Sequence, residues 1–465
     1  MSILPLNANI EQNEISNSFK NFYRLFNLGK ILRACNCVKL RGISFFEMFA
    51  FIFLNVFQDR SVYMQYLTGK PVLCSKNTYY RFFLNQHANW LRFTTMLSET
   101  IINTHIRRLT AENRSDCFVV DDSLYERVGY KKTELASRVF DHVSMTYKKG
   151  YRMLTLGWTD GCTFLPINFS LLSSSNEKQI LGTIKKHDKR TIAGKRRIMA
   201  QSKGTNVMIS LIEAAIKEGH KAKYVLFDSW FSTPHQIVQL KDMGLDTIAM
   251  IKTNGNTSYE FDGKRMSIKQ IYGACKKRRG RSRYLLSIAV KIGKDKQDEH
   301  PIDARIVCVR NRTNRKDWLA LVCTDMSLSE EEIIRIYGKR WDIEVFFKTC
   351  KSHLKLTTEY HGLSYDALTA HVAIIFTRYM YISVCKRNSE DERTLGELFY
   401  IMVDELADIS FSQSMAILVD ALIASIEEVF HATEEQITLF TNAFLNQLPK
   451  YLKDALLGSR KLQSA

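Results

Sequence analysis

Two short apolar segments, each followed at once by aspartate, constrain the fold of this chain more than any other feature. Residues 117–120 precede Asp121 and Asp122, and residues 224–227 precede Asp228. Short apolar runs bounded by polar residues are typical of buried strands. A single aspartate after a strand is more often a turn former or a helix cap. Two of them in one region predict carboxylates that neighbouring strands hold close together.

The segments around these runs predict a mixed α/β layer. Two strands are expected at 152–158 and 163–172, followed by a basic loop at 185–203. Residues 206–218 are expected to form a helix that ends at Gly219, since glycine is common just past a helix. Antiparallel strands followed by a helix and another strand indicate an α/β fold built in layers.

The flanking regions have different periodicities. Residues up to about 110 carry apolar residues at helical spacing. Ser75 can cap a short helix there, and that helix either enters a DNA groove or is a solvated helix of a small bundle. Residues 246–325 are β-rich, with strands around 284–292, 302–311 and 319–324. From Ser327 to the end the pattern is helical.

The charge of the chain indicates a polyanionic partner. The formal net charge is +18 over 465 residues, and nucleic acid is the commonest partner of so basic a protein. The most apolar stretch, 43–57, is short for a membrane span, which needs about 20 residues. The polar start of the chain predicts no secretory signal, and the scattered cysteines suggest reduced thiols in the cytoplasm.

A third carboxylate, Glu344, falls on a helix expected to begin around Tyr337. One face of that helix carries a tyrosine, one acid and four cations, namely Tyr337, Arg340, Glu344, Lys348, Lys351 and Lys355. An exposed face with an ion pair between Glu344 and Lys348 is the plain alternative. One acid cannot form ion pairs with all four cations, however. Such a face is better suited to bind the phosphate backbone of DNA next to a metal ligand.

Clustered carboxylates indicate a divalent cation. Aspartate and glutamate oxygens are the ligands that Mg²⁺ accepts, and acids without a cation repel one another. Two metal ions about 4 Å apart can activate a water or a 3′ hydroxyl and stabilise the leaving oxygen of a phosphodiester.

Residues 337–351 resemble a known signature. The spacing of Tyr337, Arg340, Glu344 and Lys351 is similar to the Y-R-E-K motif of DDE transposases from bacterial insertion sequences, in the large insertion-sequence-four group. The resemblance covers about residues 115–360.

This resemblance implies an RNase H-like catalytic core and assigns site residues. Asp121, Asp228 and Glu344 would be the catalytic acids and metal ligands, with Asp122 open as an alternate first acid. The other implied positions are DNA contacts, at Tyr337, Arg340, Lys348, Lys351 and Trp318. Trp318 stands where hairpin-forming relatives have a tryptophan that stacks on a flipped base, and a core tryptophan of a strand is the alternative.

The implied fold class is α/β, an RNase H-like mixed-sheet core interrupted by a β-rich insertion, with helical N- and C-terminal regions. The expected regions are a helical DNA-binding region at 1–112, the first part of the core at 113–245, the β-rich insertion at 246–325, the second part of the core at 326–388 and a helical region at 389–465.

The implied function is a cut-and-paste DNA transposase that works through a hairpin. We expect two Mg²⁺ ions, with Mn²⁺ accepted, and double-stranded DNA as partner, both the inverted repeats of the transposon ends and target DNA. A homodimer in the end-paired complex, no membrane contact, and a cytoplasmic, nucleoid-associated location complete the expectation. The alternatives are a transposase-derived DNA-binding protein without catalysis and an RNase H-type nuclease.

Overall fold

The computed structural model describes residues 18–57, 62–67, 72–111, 114–141, 145–253, 257–278, 282–293, 300–310, 317–388 and 433–447. The chain forms two compact units. One comprises Met1–Leu25, Leu54–Val72 and Arg393–Ala465, and the other comprises Phe26–Phe53 and Leu73–Glu392. Much of the predicted helical region at 389–465 lies outside the described residues.

The helices follow one another in the N-terminal part of the chain and recur between and after the strands. In chain order they are α1 (Leu28–Ala34), α2 (Phe45–Asn55), α3 (Val62–Leu67), α4 (Lys76–Phe83), α5 (Trp90–Ile101), α6 (Ile192–Ala200), α7 (Gly204–Lys217), α8 (Pro234–Asp242), α9 (Ile268–Ala274), α10 (Glu330–Gly338), α11 (Trp341–Ser352), α12 (Tyr365–Asn388) and α13 (Glu434–Gln447). A π-helical turn, Ile102–Ile106, and a last α-helical turn, Arg107–Leu109, extend α5.

The strands belong to the second unit and form one sheet. They are β1 (Cys117–Glu126), β2 (Ser137–Asp141), β3 (Thr146–Thr159), β4 (Phe164–Leu172), β5 (Tyr224–Phe227), β6 (Asp246–Ile251), β7 (Ser258–Phe261), β8 (Lys264–Ser267), β9 (Tyr284–Ile292), β10 (Ile302–Arg310) and β11 (Trp318–Cys323).

The central strands have the order β4-β3-β1-β5-β6. β3 is antiparallel to β1 and β4, whereas β5 is parallel to both β1 and β6. Helices between β4 and β5, and between β5 and β6, make the crossovers that parallel pairing requires. This arrangement confirms the predicted α/β fold with an RNase H-like mixed sheet.

The β-rich segment continues the same sheet. β11 pairs antiparallel with β6, and β10, β9, β7 and β8 follow outward from it. The strands expected around 284–292, 302–311 and 319–324 correspond to β9, β10 and β11. β6, at the start of the segment, also pairs in parallel with β5, so the segment is anchored in the core sheet at both ends.

Two local predictions are wrong. β1 does not end at Val120 but continues to Glu126, because all ten of its residues pair with β3. The predicted loop at 185–203 contains α6, which Thr191 caps by accepting a hydrogen bond from the Gly194 amide. Lysine and arginine are good helix formers, so a dense basic charge does not exclude a helix.

The helix α12 lies in the core and packs against α5 and β4. Among the described helices it alone is long and apolar enough to cross a membrane by length and composition, yet 89% of its most apolar window is buried inside the protein. Burial on this scale is typical of a central helix of a layered domain.

A buried ionic cluster joins α12 to α2. Arg378 is fully buried, and its Nε donates to the Phe53 carbonyl at 3.0 Å. Its Nη2 donates to the Ile52 carbonyl at 2.5 Å and to Glu359 Oε1 at 2.9 Å. Burial raises the pKa of Glu359, but Arg378 and His371 outweigh it and hold that pKa at about 2.

Replacing Arg378 by methionine should strongly destabilise the second unit. The substitution removes the donor of two backbone carbonyls and leaves the largely buried Glu359 carboxylate with His371 as its remaining partner among the described residues, a change that typically costs about 3–5 kcal/mol. Urea unfolding followed by fluorescence measures the effect. Arg335→Met is the control, because the Arg335–Glu332 pair is exposed and contributes at most about 1 kcal/mol. Equal midpoints for the two variants would contradict a structural role for Arg378.

Candidate active site

Asp121 lies in β1, and Asp228 directly follows β5, the strand that pairs in parallel with β1. β1 and β5 pair with Val119 opposite Leu226. Continuing this register by two residues sets Asp121 level with Asp228, at a strand separation of about 4.8 Å. Paired positions in a parallel ladder share a face of the sheet, so both carboxylates project to the same side.

Asp122 projects to the opposite face, because side chains alternate along a strand. There Arg152 of β3 holds it, with Nε donating to Asp122 Oδ2 at 2.9 Å and Nη2 donating to Oδ1. The geometry therefore favours Asp121 over Asp122 as the first acid.

The helix expected to run on from Tyr337 is in fact two helices, so that prediction is wrong. α10 ends at Gly338 and α11 begins at Trp341. Between them Lys339 is buried, and its ammonium donates to the carbonyls of Ser115 at 2.8 Å and Asp160 at 3.2 Å. Lys355 has a φ of 56° and lies beyond α11, so it does not share the expected helix face.

Arg340 joins two of the acids. Its Nη1 donates to Asp121 Oδ2 at 2.9 Å, and its Nη2 donates to Glu344 Oε1 at 2.5 Å. The guanidinium carbon also lies 5.9 Å from the centre of the Tyr337 ring. The structure thus gathers Asp121, Glu344, Arg340 and Tyr337 in one place, although α10 and α11 are separate helices.

The electrostatics of this cluster are dominated by burial and by the acids. Burial is the largest of the effects that raise the pKa of Asp121 to about 7; Arg340 opposes it, and the charges of Asp228 and Asp122 support it. Burial likewise raises the pKa of Tyr337 to about 12, with Asp228 and Asp121 adding to it. The tyrosine hydroxyl is therefore a neutral hydrogen-bond donor at ordinary pH.

The donor set is of the kind that a divalent cation accepts. Asp121, Asp228 and Glu344 supply hard carboxylate oxygens. Two of these acids, Asp121 and Glu344, share the Arg340 guanidinium, and the charge of the third, Asp228, adds to the burial that raises the pKa of Asp121. As the side chains stand, no three metal-ligating groups converge on one point within the described residues. Arg340 takes one oxygen from Asp121 and one from Glu344, so a cation would replace its contacts.

The remaining predicted DNA contacts are dispersed. Lys348 and Lys351 are exposed on successive turns of α11, beyond Glu344. Trp318 opens β11 and stacks on Tyr272, with the ring centres 4.1 Å apart. Alternation along β6 and β11 places Trp318 on the face opposite to that of Asp228, so the sheet does not bring it to the acids.

The helix α4 of the N-terminal region is capped by Ser75 as predicted. Its apolar face is buried, and Phe83 stacks on Tyr360 at 4.1 Å between ring centres. Lys76 and Arg81 remain exposed on the other face. A contact between this face and a DNA groove stays a prediction.

Three residues near the acids were missed in the sequence. Arg152 and Lys339 are held by contacts that are distant along the chain, and no local pattern marks them. Trp230 could have been noticed, because it follows the candidate acid Asp228 by only two residues.

Comparison with known families agrees with this geometry. The chain matches the model of the DDE superfamily endonucleases over residues 57–316, which is more than half of its length, and it belongs to that family. The match includes Asp121 and Asp228 and ends before Glu344. No curated protein matches the chain significantly. Membership supports a nuclease or transposase type of activity on DNA, and enzymes of this superfamily typically use divalent metals.

Replacing Asp121 by asparagine should stabilise the metal-free protein at alkaline pH. The pKa of Asp121 is raised from 3.8 to about 7 in the folded chain, so ionisation opposes folding as pH rises through this window. We expect a gain of roughly 2–4 kcal/mol near pH 8 and little change near pH 4. Chemical unfolding in the presence of a chelator measures both values.

The control for this prediction is Asp242→Asn, at an exposed carboxylate at the end of α8. It should change the stability by less than about 0.5 kcal/mol at either pH. A gain for Asp121→Asn of the same size at pH 4 and pH 8 would contradict the raised pKa.

Proposed function

We propose that this protein is a DNA transposase of the insertion-sequence-four group that cleaves transposon ends and joins them to target DNA. The observation that carries the proposal is the convergence of Asp121, Glu344 and Arg340, with Asp228 on the adjacent strand. Arg340 and Asp121 are 219 residues apart along the chain, so local structure does not bring them together. The Y-R-E-K spacing runs through the same cluster.

In this proposal Asp121, Asp228 and Glu344 hold two Mg²⁺ ions, with Mn²⁺ also accepted. Bound ions of this type activate the attacking oxygen and stabilise the leaving oxygen of a phosphodiester. The strands β1 and β5 fix the first two carboxylates, and α11 fixes the third. Asp122, paired with Arg152, supports β1 and β3 rather than the reaction.

The positively charged side chains around the acids bind the DNA backbone. With cations on the acids, the Arg340 guanidinium would be available to donate to a phosphate oxygen, and the neutral Tyr337 hydroxyl would donate to the same backbone. Lys348 and Lys351 extend this surface along α11. A guanidinium can grip phosphate with two parallel hydrogen bonds, which positions the strand as well as binding it.

The wider assignments rest on the resemblance. We propose end binding by the helical region at 1–112, a catalytic core at 113–245 and 326–388, an insertion at 246–325, and a helical C-terminal region at 389–465. A homodimer that pairs two ends would act on double-stranded DNA in the bacterial cytoplasm. Hairpin formation with Trp318 stacked on a flipped base is the second-strand chemistry that the resemblance suggests.

Single substitutions of the three acids should abolish cleavage without abolishing binding. We expect Asp121→Asn, Asp228→Asn and Glu344→Gln each to lower the cleavage rate by on the order of 1000-fold or more, since each removes a charged ligand from the reaction centre. The substrate is a supercoiled plasmid that carries the DNA flanking this reading frame, incubated with Mg²⁺.

The matched control is Asp122→Asn, one residue from Asp121 but on the other face of β1. It should retain cleavage, and gel-shift binding to the same DNA checks that every variant is folded. Full cleavage by Glu344→Gln would refute the assignment of Glu344 as a catalytic acid. Binding without cleavage by the unaltered protein, in Mg²⁺ and in Mn²⁺, would favour a DNA-binding protein that has lost catalysis.

Replacing Lys348 or Lys351 by methionine should weaken DNA binding for all sequences alike. A lysine that binds a phosphate contributes about 1 to the slope of log affinity against log salt, so its removal should lower the slope by that amount. The control is Lys217→Met, which changes an exposed lysine at the end of α7. The chain enters β5 soon after Lys217 and leaves it at Asp228, so the two residues belong to opposite ends of that strand. Equal salt slopes in all three variants would exclude α11 as a backbone contact.

A further inference from the structure

A tryptophan and a lysine lie beside the proposed acids with no role in the scheme above. Trp230 follows Asp228 by two residues and exposes 51% of its surface, a large fraction for so apolar a side chain. The Lys252 ammonium lies 4.8 Å from the centre of the Trp230 ring, within the range of a cation–π contact. Lys252 is itself exposed.

The register of the sheet places this pair on the face of the acids. Phe227 of β5 pairs with Ala249 of β6, which sets Asp228 level with Met250. Lys252 directly follows β6, two residues beyond Met250, so the alternation of the strand continued by one residue puts it on the same side. The backbone amide of Trp230 donates to Asp228 Oδ1 at 2.9 Å, so the chain that carries the indole also orients this carboxylate.

An exposed indole near a phosphodiester-cleaving centre suits one kind of partner. Nucleic-acid bases stack on aromatic rings without regard to sequence, because every base has a π face. A base inside an intact duplex has both faces covered by its neighbours. The partner must therefore be a base that is unpaired or at the end of a helix, where one face is open.

We infer that Trp230, held in orientation by Lys252, is a stacking platform for an unpaired or terminal base of the DNA strand at the acids. The inference rests on the proposed function. Lys252 fixes the ring from one side and places a positive charge next to the adjoining phosphate. Trp230 is in this view a positioning residue, which holds the strand and takes no part in bond breaking.

The other tryptophans make the inference testable by fluorescence. Trp90 and Trp158 are fully buried, whereas Trp341 at the start of α11 exposes 62% of its surface. Trp318 lies on the opposite face of the sheet and stacks on Tyr272. A base that stacks on an indole quenches its emission, so single phenylalanine substitutions identify the ring that the base contacts.

The experiment uses the full chain with Glu344→Gln, which blocks cleavage, and two DNA probes of equal length. One probe is a duplex with a single-stranded overhang, and the other is the same duplex closed at both ends by non-nucleotide aromatic linkers that stack on the terminal base pairs, so that it offers neither an unpaired base nor an open base face. Titration of the overhang probe should quench tryptophan emission. Trp230→Phe should remove most of that quenching, while Trp341→Phe, which alters an equally exposed tryptophan without a role in the scheme, should retain it.

Affinities give a second, independent reading. Trp230→Ala should weaken binding of the overhang probe by about 5- to 100-fold and that of the closed probe much less. Trp230→Phe should restore most of this affinity, because phenylalanine also stacks. Lys252→Met should weaken the overhang probe less than Trp230→Ala does. Melting temperatures close to that of the parent protein confirm that these exposed positions are not needed for folding.

The contrary outcomes are distinct. If quenching persists in Trp230→Phe but is lost in Trp341→Phe, the base stacks on Trp341 of α11, and the inference is overturned. If Trp230→Ala lowers the affinity for both probes equally, Trp230 contacts DNA without recognising an unpaired base, and the inference is also overturned. Cleavage by Glu344→Gln would instead refute the proposed acids, and the probe titrations, which need no cleavage, would still decide the role of Trp230.

Discussion

The parallel pairing of β1 with β5 is the constraint on which the site depends. Two strands far apart in the chain can lie parallel only if a crossover separates them, and here β3, β4, α6 and α7 supply it. The register of that pair sets Asp121 level with Asp228. A slip of one residue would turn Asp121 to the other face and bring Asp122 to the acids, because side chains alternate along a strand. The register thus decides which aspartate belongs to the site.

The third acid, Glu344, lies in α11, which is separated from α10 by a short break in the helix. Lys339, between α10 and α11, is buried, and its ammonium donates to two backbone carbonyls next to β1 and β3, which ties the junction of the two helices to the sheet. This junction sets Arg340 between Asp121 and Glu344 and leaves Tyr337 beside them. Burial is the main reason that the pKa of Asp121 is raised, and the negative charges of Asp228 and Asp122 add to it, whereas Arg340 lowers it.

Parts of this arrangement follow directly from local sequence. The strands at 284–292, 302–311 and 319–324 were predictable because apolar alternation between turn residues signals a strand. The Ser75 cap was equally local. The helix at Ile192–Ala200 was not, because its many lysines and arginines obscure the apolar side that packs on β4. The extension of β1 to Glu126 depends on β3, and no property of residues 121–126 alone reveals it.

The chemical groups available to this protein can be read from its amino-acid sequence. It provides strand-forming runs that end in acids, a basic surface, and the spacing of Tyr337, Arg340, Glu344 and Lys351, since residue type and periodicity are local properties. Three features emerge only when the chain is folded: Asp121 rather than Asp122 faces Glu344, the helix expected from Tyr337 is divided into α10 and α11, and Trp230 and Lys252 lie on the same face as the acids. Each of these depends on register and burial, which arise from contacts between residues distant in the chain and so leave no pattern in any one segment.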